Sequence, residues 1–132
     1  MARYDKYDPI SGGFRAPLAA AITAPADIGV PRAVGIDANG RVVFGAGASG
    51  IIGILVADQA KAANEIVDVM TSGEIVDLDE TAFDPGVKYL GQAASGLINT
   101  TAGGTPVGCV IRDTAITTGV VRTRLVVRIA AS

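Results

Sequence analysis

The sequence predicts an all-β fold in a single domain, and three features of its composition indicate this. The chain has 132 residues, which is enough for one domain with a hydrophobic core. Its hydrophobic fraction is 49% but its aromatic fraction only 5%, so Ala, Val, Ile and Gly carry the apolar content, and Val and Ile favour strands. The 17 Gly and 6 Pro indicate many turns between short strands.

The first 26 residues are predicted to form an extended N-terminal arm, followed by one β-rich domain over residues 27–132. Pro17 and Pro25 interrupt this segment, yet Tyr4, Tyr7 and Phe14 concentrate aromatic side chains in it. Aromatic residues and Arg are enriched where one protein grips another. Two interpretations stay open: an anchor that becomes ordered on a partner, or a terminus that folds back on its own domain.

The first part of the domain contains a predicted hairpin and a glycine-rich loop. Residues 34–43 read VGIDANGRVV, in which Asn39-Gly40 favours a type I′ turn between two strands. Residues 44–50 (FGAGASG) are predicted to be a loop rather than a phosphate site. The P-loop lysine is absent, and the residues that follow predict a strand where a nucleotide-binding motif needs a helix.

The central stretch, residues 51–78, is predicted to be a buried strand followed by a hairpin. Residues 51–57 form an apolar run typical of a strand buried on both faces. Residues 66–70 and 74–78 are predicted to pair with each other through a tight connection at residues 71–73, in which Gly73 can adopt a positive φ.

The C-terminal part predicts three more strands, at residues 87–91, 106–112 and 120–129, with an acidic solvated loop before them at 79–86. In the last strand, Leu125 and Val127 alternate with arginines, which indicates a half-buried strand with its arginines outward. Cys109 lies in an apolar run and is predicted to be a small buried side chain.

Charge is distributed unevenly along the chain. Seven acids and no Lys or Arg lie in residues 65–84, whereas four Arg and one acid lie in residues 112–128. The formal charge of −2 does not favour direct binding of nucleic acid. Complementary charge favours specific contacts between surfaces. The residues predicted to form a subunit interface are Arg122, Arg124, Arg128, Asp77 and Asp79.

Catalytic chemistry is not evident in the sequence. The chain contains no His and a single Cys, so it lacks the usual general base, the usual zinc ligands and any disulfide within the chain. We therefore expect no enzymatic activity, no cofactor and no metal. No apolar segment approaches the roughly 20 residues that span a bilayer, so we expect no membrane partner. The single Cys, which excludes a disulfide within the chain, predicts synthesis in the reducing cytoplasm of a host cell.

Six motifs follow one another along the domain: D-A-N-G-R-V-V (37–43), G-I-L-V-A-D (53–58), I-V-D-V-M-T-S-G-E-I-V (66–76), P-G-V-K-Y-L-G (85–91), G-T-P-V-G-C-V-I (104–111) and R-L-V-V-R-I (124–129). The order of these motifs resembles that of the capsid decoration (cement) proteins of tailed bacteriophages. The opening Y-D-P-I-S-G-G-F-R-A-P-L (residues 7–18) resembles N-terminal arms of such proteins in actinobacterial phages.

The resemblance implies a small β-barrel of the β-tulip type and a location on the outer surface of the virion. It implies a homotrimer at the three-fold and quasi-three-fold positions of the head, bound to the major capsid protein and stabilising the mature shell. The predicted capsid-binding residues of the arm are Tyr4, Tyr7, Asp8, Pro9, Phe14, Arg15 and Leu18. The alternatives are a head–tail joining or tail component and a small cytoplasmic ligand-binding β-barrel.

Overall fold

The computed structural model describes residues 3–5, 12–76, 83, 86–114 and 121–128. These residues form antiparallel strands and one short 3-10 turn, Pro25–Asp27. The strands are β1 Arg3–Asp5, β2 Gly13–Pro17, β3 Arg32–Ile36, β4 Val42–Phe44, β5 Gly53–Leu55, β6 Ile66–Met70, β7 Ser72–Val76, β8 Lys88–Gly91, β9 Ile98–Asn99, β10 Thr105–Thr114 and β11 Val121–Arg128.

The strands are arranged in two sheets. The six-stranded sheet has the order β1-β7-β11-β10-β8-β9, and the five-stranded sheet has the order β2-β6-β5-β3-β4. The predicted all-β fold is confirmed.

The five-stranded sheet curls until its two edges meet at one point. Leu18, just after β2, forms a bridge with Val42 of β4, and the amide of Ala19 donates to the Val42 carbonyl oxygen at 2.9 Å. Within the described residues this is the single bridge between the two edges. The described strands therefore form two open sheets, one of them strongly curled, rather than the closed barrel expected from the sequence.

Two hydrophobic clusters lie on opposite faces of the five-stranded sheet. One fills the space between the two sheets and includes Ile54, Met70 and Val107. The other fills the concave side of the five-stranded sheet and includes Leu55 and Val69. Adjacent residues of β5 thus enter different clusters, because successive side chains of a strand point to opposite faces. The prediction of a strand buried on both faces is confirmed for Gly53–Leu55, which is shorter than the predicted residues 51–57.

The predicted hairpin over residues 66–78 is wrong. The strands β6 and β7 belong to different sheets: β6 pairs with β2 and β5, and β7 pairs with β1 and β11. The chain crosses between the sheets at Thr71 and Ser72, whose amides both donate to the Gly12 carbonyl oxygen at 2.8 and 3.1 Å. This shared acceptor holds the bend between two nearly continuous strands, so they diverge instead of folding back on each other.

The hairpin at residues 34–43 is confirmed, because β3 and β4 pair through Ile36↔Val42. The turn is not type I′, which requires positive φ at both central residues. Only Gly40 has a positive φ (81°), whereas Asn39 does not. The Asp37 carboxylate accepts from the amides of Asn39 and Arg41, both at 2.9 Å, and this stabilises the alternative turn.

Cys109 is exposed, which corrects the expectation that it is buried. A β-bulge interrupts the pairing of β10 with β8 between Pro106 and Gly108. The extra residue shifts the alternation of faces, so that Val107 and Val110 are both buried while Cys109 between them is not.

The glycine-rich loop packs against the turn that follows β8. The Ala46 amide donates to the Ala93 carbonyl oxygen at 2.9 Å, and the Ala33 amide donates to the Gly96 carbonyl oxygen at 2.8 Å. A Cβ atom at Gly96 would lie 2.4 Å from the Ala33 carbonyl oxygen. The glycines here allow close approach of two backbones, in agreement with the prediction of a loop.

Candidate binding surface

Two described N-terminal segments, Arg3–Asp5 and Gly13–Pro17, pair with strands of their own chain, as the second of the two interpretations left open by the sequence predicts. Strand β1 pairs with β7, and strand β2 pairs with β6 along its whole length from Gly13↔Met70 to Pro17↔Ile66. Both strands are therefore parts of the two sheets.

Tyr4 connects the two sheets. It lies in β1 of the six-stranded sheet, and its hydroxyl group contacts three backbone groups of the five-stranded sheet. The hydroxyl oxygen lies 2.9 Å from the Asp68 carbonyl oxygen and 3.3 Å from the Ile54 carbonyl oxygen, and it accepts from the Val56 amide at 3.1 Å. Tyr4 thus serves the fold itself in the isolated chain, where the sequence predicted a contact with a partner.

Two other predicted anchor residues belong to the cluster on the concave side of the five-stranded sheet. Leu18 is only 2% exposed, and Phe14 packs against the same cluster while remaining half-buried. Phe14 lies opposite Val69, and both side chains face the interior of the curled sheet. The side chain of Leu18 is therefore not available to a partner in this fold.

Among the predicted anchor residues that the structure describes, Arg15 is the exposed one. It lies opposite Asp68 in the pairing of β2 with β6, and its Nε atom lies 2.6 Å from the Asp68 Oδ1 atom. The two side chains are 68% and 37% exposed. At the next position on the same face, Pro17 lies opposite Ile66, which is 59% exposed.

We name these four residues, Arg15, Pro17, Ile66 and Asp68, the β2–β6 surface. It combines an exposed branched apolar side chain with an arginine that a neighbouring carboxylate orients. Arginine is enriched at protein interfaces, and an apolar centre with a polar rim is the usual anatomy of such an interface. The composition of this surface is therefore typical of surfaces that bind proteins.

Ile66 is a candidate that sequence reasoning missed, although the alternation of side chains contained the signal. Val67 and Val69 are buried on the concave side, so Ile66 and Asp68 must lie on the other face. Ile66 begins the strand directly after polar residues and shares a face with Asp68, and both features indicate an exposed side chain. The apolar composition of β6 as a whole made this indication easy to overlook.

Tyr7, Asp8, Pro9, Asp77 and Asp79 lie outside the described residues.

The three arginines of the predicted subunit interface belong to β11, where Arg122 lies opposite Asp113, Arg124 opposite Ile111, and Arg128 opposite Ser72. The structure describes the backbone of these arginines but not their side chains. Their part in an interface between subunits stays a prediction.

Neither a metal site nor a membrane span is found in the part of the chain that the structure describes. No group of three or more His, Cys, Asp or Glu side chains among these residues is arranged to hold a metal ion. Within the same residues, no helix is long and apolar enough to cross a membrane.

Comparison with known proteins identifies a solved structure with the same fold. A chain from Mycobacterium phage Patience superposes with a TM-score of 0.79 and 18% sequence identity, over 99% of this chain and 97% of that chain. No protein-family model matches the sequence, and no curated protein matches it. At this identity the likeness demonstrates a shared fold across nearly the full length of both chains.

Proposed function

We propose that this chain is a structural virion protein of a tailed bacteriophage that binds the outer surface of the major capsid protein shell and stabilises the mature head. The observation that carries the proposal is the likeness of fold to a mycobacteriophage chain over nearly the whole of both molecules. The strand motifs support it independently, because their order resembles that of capsid decoration proteins of the β-tulip type.

The packing of the chain suits a protein that reinforces a shell. Two hydrophobic clusters share the central strands of one sheet, so that β5 and β6 are buried on both faces over much of their length. A body packed in this way resists deformation, because close-packed interiors have low compressibility. Such a protein can transmit force between the shell subunits that it contacts.

The β2–β6 surface is our proposed contact with the shell protein. Ile66 supplies apolar area, and Arg15 supplies hydrogen-bond donors that suit a carboxylate or a backbone carbonyl. One such contact is small. A homotrimer at the three-fold positions of the head would engage several shell subunits at once, and simultaneous engagement raises avidity by about 10²–10⁴ without new kinds of contact.

The test is binding of the purified chain to expanded, undecorated shells, measured by cosedimentation and followed by electron cryomicroscopy of the occupied particles. We expect saturable binding in hundreds of copies, with density at the three-fold and quasi-three-fold positions. Binding confined to a single vertex, or a stable ring of six or more chains in solution, would indicate a head–tail joining component instead. Absence of binding to expanded shells would contradict the proposal.

A further inference from the structure

The N-terminal strand occupies a seat made by three other strands. Its three residues pair along the outer edge of β7, with Tyr4 opposite Ile75. The remainder of the seat consists of three backbone groups of the five-stranded sheet: the Ile54 carbonyl, the Val56 amide and the Asp68 carbonyl. We name this arrangement the Tyr4 seat.

Binding of β1 in the Tyr4 seat is favourable because β5 and β6 diverge there and leave backbone groups that need hydrogen-bond partners. Strands β5 and β6 are paired at a single position, Ile54↔Met70. The Val56 amide and the Asp68 carbonyl oxygen are bridged instead by the Tyr4 hydroxyl, which accepts from the first and lies within hydrogen-bond distance of the second. If β1 left the Tyr4 seat, the Val56 amide and the Asp68 carbonyl would lose the Tyr4 hydroxyl as a hydrogen-bond partner. Buried backbone groups are almost always paired in folded proteins, so the empty seat is unfavourable.

Strand β1, which fills the Tyr4 seat, makes strand pairing with only one neighbour among the described strands. Strand β1 is a terminal edge strand whose only neighbour among the described strands is β7. The next residue that the structure describes is Gly12, whose carbonyl oxygen accepts from the amides of Thr71 and Ser72. The strand could therefore leave its own seat and enter an identical one without altering the pairing of β2 through β11.

The tether that joins this strand to β2 is long enough to span the distance to an adjacent copy. The connection of seven residues from 6 to 12 can extend about 25 Å. A folded chain of this length has a radius of gyration of about 14 Å, so the seats of two touching copies fall within that reach when both seats lie near the shared contact. In dilute solution a strand keeps its own seat, because a short tether gives it a local concentration in the millimolar range. Only copies packed side by side compete with that concentration.

We propose that copies packed side by side on the shell exchange their N-terminal strands, so that Tyr4 of one copy occupies the Tyr4 seat of the next. Exchange of an identical element requires no new interface chemistry, because every contact of the isolated chain is reproduced between two chains. This inference rests on the proposed function, since a shell surface is what brings the copies together. It would link decoration subunits to one another as well as to the shell.

The test uses full-length chains in which Cys109 is replaced by Ser. Asp5 and Glu74 are directly opposed in the pairing of β1 with β7, a geometry that suits a disulfide. The double variant D5C/E74C, oxidised in dilute solution, should close within one chain and run as a monomer on a non-reducing gel. It establishes that the pair can form a disulfide in the seat.

The decisive sample is an equal mixture of the single variants D5C and E74C bound to shells and then oxidised. Each chain of this mixture carries one of the two introduced thiols, so a disulfide between the two positions must join two different chains. A D5C–E74C dimer, identified by mass spectrometry, is the expected result. The same mixture in dilute solution should remain monomeric. The combination of R3C and E74C chains serves as the matched control, because Arg3 lies opposite Val76 and not Glu74.

The outcomes separate the two proposals. Failure of the parent chain to bind shells would contradict the proposed function. Normal occupancy of shells without the D5C–E74C dimer, while the double variant closes in solution, would overturn strand exchange alone. If the double variant does not close, the opposed pair Arg3→Cys and Val76→Cys replaces it, and absence of a dimer on occupied shells with that pair would equally overturn the exchange.

Discussion

The hydroxyl oxygen of Tyr4 lies 2.9 Å from the carbonyl oxygen of Asp68, a residue 64 positions away along the chain. The contact joins β1, an edge strand of the six-stranded sheet, to β6 of the five-stranded sheet. A single phenol group therefore connects the two layers at the place where β5 and β6 separate. Strand β1 is held by this group as well as by its backbone pairing with β7.

Replacement of Tyr4 by Phe is expected to lower the free energy of unfolding. The variant keeps the aromatic ring but removes the partner of the Val56 amide, and an unsatisfied buried donor costs about 1–3 kcal/mol. Urea unfolding followed by circular dichroism measures the difference. Because the ring is retained, an unchanged free energy of unfolding would mean that water replaces the hydroxyl group and that Tyr4 does not fasten the sheets.

Replacement of Ile66 by Glu is expected to weaken shell binding at least about tenfold, which corresponds to about 1.4 kcal/mol. Leu97→Glu is the matched control, because Leu97 is also exposed, at 44% against 59% for Ile66, but lies in the turn after β8. Both variants should retain the parental thermal unfolding temperature, since surface substitutions usually change stability by less than about 0.5 kcal/mol. If the Ile66→Glu variant binds shells as tightly as the Leu97→Glu variant and the parent chain, the β2–β6 surface is not the contact.

Replacement of Gly96 by Ala is expected to destabilise the domain more than replacement of Gly40 by Ala. Both glycines have a positive φ, at 76° and 81°, so each substitution carries a backbone penalty of about 1–2 kcal/mol. Gly40 has open space around it, whereas a Cβ at Gly96 would lie 2.4 Å from the Ala33 carbonyl oxygen. The difference between the two unfolding free energies isolates this steric conflict, and equal values would show that the loop moves apart without penalty.

Replacement of Cys109 by Ser is expected to leave the free energy of unfolding within about 0.5 kcal/mol of the parent, because the side chain is exposed. A buried thiol would respond differently, since a hydroxyl group without a partner is costly in an apolar core. Chemical denaturation of the two proteins distinguishes these cases. A loss of several kcal/mol would place Cys109 in an interior position.

The sequence by itself determined the class of the fold and the burial of its central strand. Val- and Ile-rich segments separated by glycine and proline indicate strands, and the continuous apolar run at residues 51–57 can be satisfied only where both faces of a strand are covered. The hairpin at residues 34–43 was also predictable, because its strands are joined by a short turn and pair locally. These features depend on residues close together in the chain.

Only the tertiary structure decided which strands are neighbours. Alternation along β6 and β7 states which side chains share a face, but it does not state that the bend held by Gly12 sends the two strands into different sheets. The exposure of Cys109 was also decided by tertiary structure, because one extra residue at the bulge near Val107 shifts the alternation of faces along β10. The role of Tyr4 in the fold depends on carbonyl groups that lie 50 and 64 residues away along the chain. Such contacts form only when distant segments are brought together, and for that reason no local pattern records them.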